Sequence, residues 1–122
     1  MRNLFVLDTN ILVYFFDGNK SCGKLLSTIE YTVSSVSYIE LLSDVKTPLA
    51  KRELISEFLS NTTVIQTSPP ICDFAAKFRL TYNIKTPDAI IAATAKYSGI
   101  PLITADASFF KIKEIEIIKF SK

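Results

Sequence analysis

Histidine is absent from all 122 residues. That removes every mechanism that needs imidazole, His-paired hydrolases and His-ligated zinc among them, and leaves carboxylates as the main groups for acid/base work or metal binding. Cysteine is scarce. Cys22 and Cys72 lie far apart with no partner motif around either, so they read as small hydrophobes or free thiols. Long apolar runs are missing too: the longest, Ile11 to Phe16, falls far short of the roughly 20 residues a membrane-spanning helix needs. The first residues read as a strand rather than as a basic, then apolar, then small-residue leader. A cytoplasmic protein with no membrane partner is expected.

What is present is globular in character. With 48% hydrophobic and 21% charged residues the chain can bury a core and is not disordered. Its length suits one domain, 1–122, too short for a separate substrate domain.

The stretch Lys85 to Ala95 organises the chain. Thr86 suits an N-cap, Pro87 the first helical position, and Asp88 the positive end of the helix dipole. Behind them, Ala89, Ala92, Ala93 and Ala95 with Ile90 and Ile91 make a thin helix, apolar around most of its circumference and therefore buried. Ser98-Gly99 ends it with glycine at the expected cap. Asp88 is thus held at the mouth of a rigid core element.

Elsewhere, Asn3 to Leu7 reads as a strand ending at Asp8-Thr9-Asn10, where Asp8 is placed to cap the helix that follows. That helix carries Tyr14, Phe15 and Phe16 on more than one side, which fits either a surface that meets another chain or a fully buried helix. Ser21 to Glu30 reads as a weaker second helix and Thr32 to Val36 as a strand. Ser37 to Glu40 then matches a capping box, with Glu40 reaching back to the helix start. Thr47-Pro48 opens an amphipathic helix through Leu54, Ile55, Phe58 and Leu59, and Thr62 to Thr67 reads as a strand closed by Ser68-Pro69-Pro70. From Ile71, helical spacing continues through Phe74, Phe78 and Tyr82, with Asp73 and Lys77 placed for an i,i+4 pair. Ile100 to Thr104 is a strand entered through proline, Ser108 to Phe110 a short turn of helix, and Ile115 to Phe120 a final strand. Strands alternate with helices and no hairpin signature occurs before the last pair. The pattern predicts an α/β fold, helices on both sides of a mainly parallel five-stranded sheet.

In an open parallel sheet the functional crevice lies at the carboxyl ends of the strands. Asp8 ends the first strand, Glu40 opens the helix after the second, Asp88 opens the core helix and Asp106 ends the fourth strand. Each has a capping role open to it alone, but one shared site accounts more economically for four acids on one edge. Four gathered carboxylates repel one another and raise each other's pKa unless a cation joins them. Oxygen-only donors suit Mg²⁺ or Mn²⁺, ions that commonly act on phosphate esters.

These motifs, Leu7-Asp8-Thr9-Asn10, Ser37 to Glu40, Pro87 to Ala95 and Gly99 to Asp106, resemble those of the PIN-domain ribonucleases, and within them the VapC-type toxins of toxin–antitoxin pairs. The resemblance covers essentially the whole chain. It implies a five-stranded PIN-like α/β/α sandwich, metal-dependent RNA cleavage, a homodimer and a small antitoxin partner. It also makes Asp8, Glu40, Asp88 and Asp106 the metal-binding acids, supported by Thr9, Asn10 and Thr104. Hydrolysis would leave 5′-phosphate and 3′-hydroxyl ends. One departure stands out: many relatives carry a further acid past the fourth, where this chain has Ser108, Phe109 and Phe110. A second ion is therefore expected to be held weakly, or only with the RNA phosphate present.

The net charge of +2 conceals a segregation. With the four candidate acids set aside, fourteen basic residues face eight acidic ones, and Lys20, Lys24, Lys46, Lys51, Arg52, Lys85 and Lys96 become candidates for phosphate contacts. Three other readings share parts of this evidence. A housekeeping RNA-processing nuclease would use the same acids. A non-catalytic interaction module would keep them only as caps. An aspartyl-phosphate phosphatase would want a second acid two residues after Asp8, where Asn10 stands.

Overall fold

The computed structural model describes residues 4–122; Asn3, the expected first residue of the opening strand, lies outside them. Five strands form one sheet: β1 (Leu4–Leu7), β2 (Glu30–Ser34), β3 (Val64–Ile65), β4 (Leu102–Thr104) and β5 (Ile117–Lys119). Their order is β3-β2-β1-β4-β5, and every neighbouring pair is parallel. The expected α/β sheet is therefore present and entirely parallel. The last two strands form no hairpin, because β5 runs alongside β4 with Leu102 opposite Ile117.

The faces of the sheet follow the two-residue period of a strand. Val6 and Leu102, register partners, pack with α5 (Pro69–Tyr82) and α6 (Thr86–Ser98) on one side. Leu7, Ile103 and Val33 point to the other, into α1 (Thr9–Phe16), α2 (Lys20–Leu26), α3 (Ser35–Ser43) and α4 (Leu49–Ser60). All of these strand residues are at most 1% exposed. The result is a three-layer α/β/α sandwich with a core on each face of the sheet.

α6 is buried as its composition predicts. Ala89, Ile91, Ala92, Ala93, Thr94 and Ala95 are all at most 1% exposed, and the hydroxyl of Thr94 is satisfied by donating to the Ile90 carbonyl at 2.8 Å. Small side chains let α6 approach the sheet closely. Gly99 ends the helix with φ +68°, the left-handed cap that glycine adopts without steric cost.

Several boundaries differ from expectation. α6 starts one residue earlier than predicted, with Lys85 at the N-cap, Thr86 as the first helical residue and no side chain capping it. α2 ends at Leu26, and Glu30 opens β2 instead of closing a helix. Ser68-Pro69-Pro70 does not merely close β3: both prolines sit in the first turn of α5, where missing N–H groups are harmless. Asp73 and Lys77 form no ion pair; the Lys77 ammonium lies 6.0 Å from the Phe74 ring centre. The aromatic side chains of α1 are covered from within the chain, Phe15 and Phe16 by Phe58 and Tyr14 by Phe120. Among the described residues no helix is long and apolar enough to cross a membrane. Both cysteines are free, and the buried Cys22 thiol donates to the Ile11 carbonyl.

Candidate active site

The order β3-β2-β1-β4-β5 reverses direction at β1, so the crevice of the sheet opens beyond the carboxyl ends of β1 and β4. Asp8 stands there. Its backbone N–H is tied to the Ile103 carbonyl across the two strands at 3.0 Å, and the residue is only 5% exposed. Its carboxylate has two different partners: Oδ1 accepts from the Thr9 N–H at 2.8 Å and Oδ2 from the Thr104 hydroxyl at 2.7 Å. The capping role open to Asp8 is therefore real but uses one oxygen only.

Thr104 does more than support Asp8. Its Oγ1 also accepts from the Asp106 N–H at 3.0 Å, so one buried hydroxyl fixes the buried acid and the loop that carries the next. Asp106 itself is exposed and caps the 3₁₀ turn Ala107–Phe109 by accepting from the Ser108 N–H at 2.9 Å.

On the other side of Asp8, the Thr9 hydroxyl donates to Glu40 Oε1 at 2.6 Å and also lies 2.8 Å from Ser37 Oγ. Glu40 is not part of a capping box. α3 begins three residues earlier than the box requires, with Ser34 as the N-cap accepting from the Val36 N–H. Ser37 and Glu40 instead lie about one turn apart on one face of α3 and meet Thr9 together. Three of the four acids are thus joined in one run of contacts, Glu40 to Thr9 to Asp8 to Thr104 to Asp106.

Asp88 stands outside that run. It lies half-buried in the first turn of α6 and is tied to the others by charge. Burial raises its carboxyl pKa first, the charges of Asp106 and Glu40 add to the rise, and Lys85 opposes it. At Asp8, burial pushes the carboxyl from 3.8 up to about 6. The hydrogen bonds from Thr104 and Thr9 pull it down, while Asp88 and Asp106 push it further up. Asp88 is thus linked by charge to each of the other three acids at this strand edge.

Asn10 is the exception among the expected supporting residues. Its Oδ1 is buried without a hydrogen-bond partner and joins none of these contacts. Ser37, read from sequence as a cap, turns out to be a partner of Thr9; its spacing of three from Glu40 was the available signal.

The fit to a hard divalent cation can be judged from the donors. They are all oxygens, the central one is a carboxylate held above its usual pKa first by burial and then by the charges of Asp88 and Asp106, and a cation would offset both effects. Among the described residues no three acidic side chains already converge as a closed cage. The set therefore suits an ion that keeps much of its water, as Mg²⁺ does.

Two hollows are lined by the other acids. One, of about 250 Å³, is lined by Thr9, Glu40, Lys46 and Lys51 with apolar Val13 and Ile55. The other, of about 360 Å³, is lined by Asp88, Asp106, Asn83, Lys85, Ser108 and Lys111. Of the expected basic candidates, Lys51 is paired with Asp17 at 2.6 Å, and the Arg52 guanidinium donates to the Asp44 and Thr47 carbonyls. Lys96 lies in the last turn of α6, at the opposite end from Asp88, beside a separate hollow.

A family model described as the PIN domain matches residues 5–115. Among solved structures, a chain of a toxin–antitoxin complex from Klebsiella pneumoniae is 27% identical, with a TM-score of 0.82 over 93% of this chain and 95% of that one. A chain of VapBC2 from Rickettsia felis, bound to a DNA fragment from its promoter, is 23% identical with a TM-score of 0.83, covering 97% of this chain and 99% of that one. A chain of the DNA-bound VapBC from Salmonella typhimurium is 21% identical with a TM-score of 0.82, covering 98% of each. No curated protein sequence matches significantly.

Proposed function

Given that this chain belongs to the PIN-domain family, we propose that it is a divalent-metal-dependent endoribonuclease and the toxin of a VapBC-type toxin–antitoxin pair. The observation that carries the nuclease reading is the coupling of Asp8, Glu40, Asp88 and Asp106, which come from four separate segments, at the switch point of a parallel sheet. The likeness to a chain of a toxin–antitoxin complex at 27% identity supports the toxin reading. A small antitoxin that covers the site, and a homodimeric state, belong to the same proposal.

In this reading Asp8 and Asp106 would hold a Mg²⁺ or Mn²⁺ ion, with Glu40 and Asp88 placed to hold or orient water beside it. Such an ion would supply positive charge to a phosphate oxygen and make a water beside it more acidic. The chain's own groups do the orienting. The Thr104 hydroxyl, donating to Asp8 Oδ2 while accepting from the Asp106 N–H, keeps the two ligand acids in fixed relation. The Thr9 hydroxyl occupies one oxygen of Glu40 and leaves the other to orient an attacking water. Attack by water in line with the departing 3′ oxygen gives 5′-phosphate and 3′-hydroxyl ends, so the 2′-hydroxyl is not the nucleophile.

The test is cleavage of a mixed panel of structured and single-stranded RNAs by purified protein in Mg²⁺, Mn²⁺ and EDTA, with Asp8→Asn and Asp88→Asn alongside. Cuts that need metal, carry 5′-phosphates and disappear in both variants are expected. Cleavage that persists in EDTA or in folded Asp8→Asn protein would overturn the proposal. So would a folded, partner-free wild type that cuts nothing and binds no divalent ion in calorimetry.

A further inference from the structure

The hollow beside Asp88 and Asp106 is lined by two lysines that form no ion pair. Lys85 is the N-cap of α6, and Lys111 follows the 3₁₀ turn that Asp106 caps. Both are exposed, and both line the same hollow of about 360 Å³ with the two acids. Neither enters an ion pair: among the described residues the one salt bridge is between Lys51 and Asp17. One further feature of the hollow favours a hydrogen-bonding ligand: Ser108, which also lines it, has a buried Oγ with no hydrogen-bond partner. No side chain caps α6, but Asp88 in its first turn already meets the positive end of the helix dipole.

A cation beside a catalytic carboxylate would ordinarily be expected to pair with it. Here the two lysines share the hollow of Asp88 and Asp106 and Lys85 acts on Asp88 through its charge, but neither closes an ion pair, which leaves the ammonium groups available to a second negative group. A phosphodiester strand needs such a partner close to the acids, because a backbone phosphate approaching four carboxylates is otherwise repelled. The other hollow has less of this character: its Lys51 is already engaged, Lys46 is its one lysine outside an ion pair, and much of its lining is apolar.

We propose that Lys85 and Lys111 are phosphate-positioning residues, which hold a backbone phosphate of the RNA strand in the hollow beside Asp88 and Asp106 and so set the strand's approach to the scissile bond. This rests on the ribonuclease reading and names the chain's substrate contact on one side of the acids. The two lysines are 26 positions apart in sequence, and Lys111 has no local pattern that marks it as a binding residue. Their pairing exists only because α6 and the segment after β4 start from the same strand edge.

The experiment is steady-state cleavage of an RNA that the wild type cuts, at several salt concentrations, by Lys85→Gln, Lys111→Gln and the double variant. Lys77→Gln, on the outer face of α5, serves as a charge-matched control. Each single variant is expected to raise KM about 5- to 10-fold with kcat within about twofold, the loss expected for one exposed charge-assisted contact. The double variant is expected to flatten the dependence of log(kcat/KM) on log[salt] by about 0.7, the change for one lost phosphate contact on a single strand. Lys→Arg at either position should restore most of KM, and Lys77→Gln should match the wild type. Unchanged KM and salt dependence in the double variant would overturn the inference while leaving the nuclease intact. Loss confined to kcat, or an equal effect from Lys77→Gln, would overturn it as well. A wild type that cuts no RNA is a different result, and brings down the functional reading on which the inference stands.

Discussion

Replacing Asp8 with asparagine is expected to make the metal-free protein more stable at neutral pH and less stable in acid. The folded state holds the Asp8 proton more tightly than the unfolded chain does, because burial raises its pKa from 3.8 to about 6. The folded form therefore carries more protons between those values, and stability falls as pH rises through that window, by about 3 kcal/mol for a shift of about two units. Below pH 4 this penalty is absent, and above about pH 7 it is complete. Asparagine is uncharged throughout and escapes it. Its amide has a single carbonyl oxygen, however, whereas the carboxylate accepts from both the Thr9 N–H and the Thr104 hydroxyl. One donor is left over, at a cost of about 1–2 kcal/mol at every pH. The two terms sum to a gain of about 1–2 kcal/mol at pH 7.5 and a loss of similar size at pH 4. Their difference across the pH range, about 3 kcal/mol, does not depend on the hydrogen-bond estimate. Urea unfolding in EDTA at pH 4, 5, 6 and 7.5 measures it directly. Added Mg²⁺ at pH 7.5 should stabilise the wild type and leave the variant where it was. If the stability difference between the two proteins stays constant within about 1 kcal/mol from pH 4 to 7.5, Asp8 is not a buried carboxylate of raised pKa and the electrostatic account of the site fails.

Two further perturbations probe the frame around the acids. Thr104→Val, nearly the same in volume, removes the donor to Asp8 Oδ2 and the acceptor of the Asp106 N–H together; a loss of about 1–3 kcal/mol is expected from urea midpoints. Because that hydroxyl holds the Asp8 pKa down, the Asp8 carboxyl resonance should also titrate above its wild-type midpoint, and a lower midpoint would contradict the assignment. Ala93→Leu places a branched side chain where none of the surface is exposed, in the core that α6 shares with α5 and the sheet. Overpacking of about 1–3 kcal/mol is expected in thermal unfolding, and an unchanged midpoint would mean that α6 is not close-packed against the strands.

The family motifs were legible because each is a local device. Asp8 and Asp106 both cap the turns that follow them, and their place after apolar runs marks them as residues at strand ends. The Glu40 assignment shows where local reading fails. Ser37 and Glu40 have the spacing of a capping box, yet strand β2 begins at Glu30, the helix starts at Ser35, and Ser34 takes the cap. The mistaken boundary came from polar Glu30 and aromatic Tyr31, which interrupt the apolar pattern at the strand's start. With the cap filled, Glu40 is free to meet Thr9, 31 positions away.

By itself the amino-acid sequence determined the alternation of strands and helices, the buried alanine helix with its glycine stop, and the presence of four acids near the carboxyl ends of strands. Those follow from periodicity, capping chemistry and composition, all of which act over a few residues. Only the tertiary structure decided that the sheet is wholly parallel and that one threonine hydroxyl, 96 positions from Asp8, bridges two of the acids. It alone brought Lys111 to the hollow that Lys85 lines, and it alone raised the Asp8 pKa. Burial and the field of distant charges depend on where chain segments meet in space, and no local pattern carries that information.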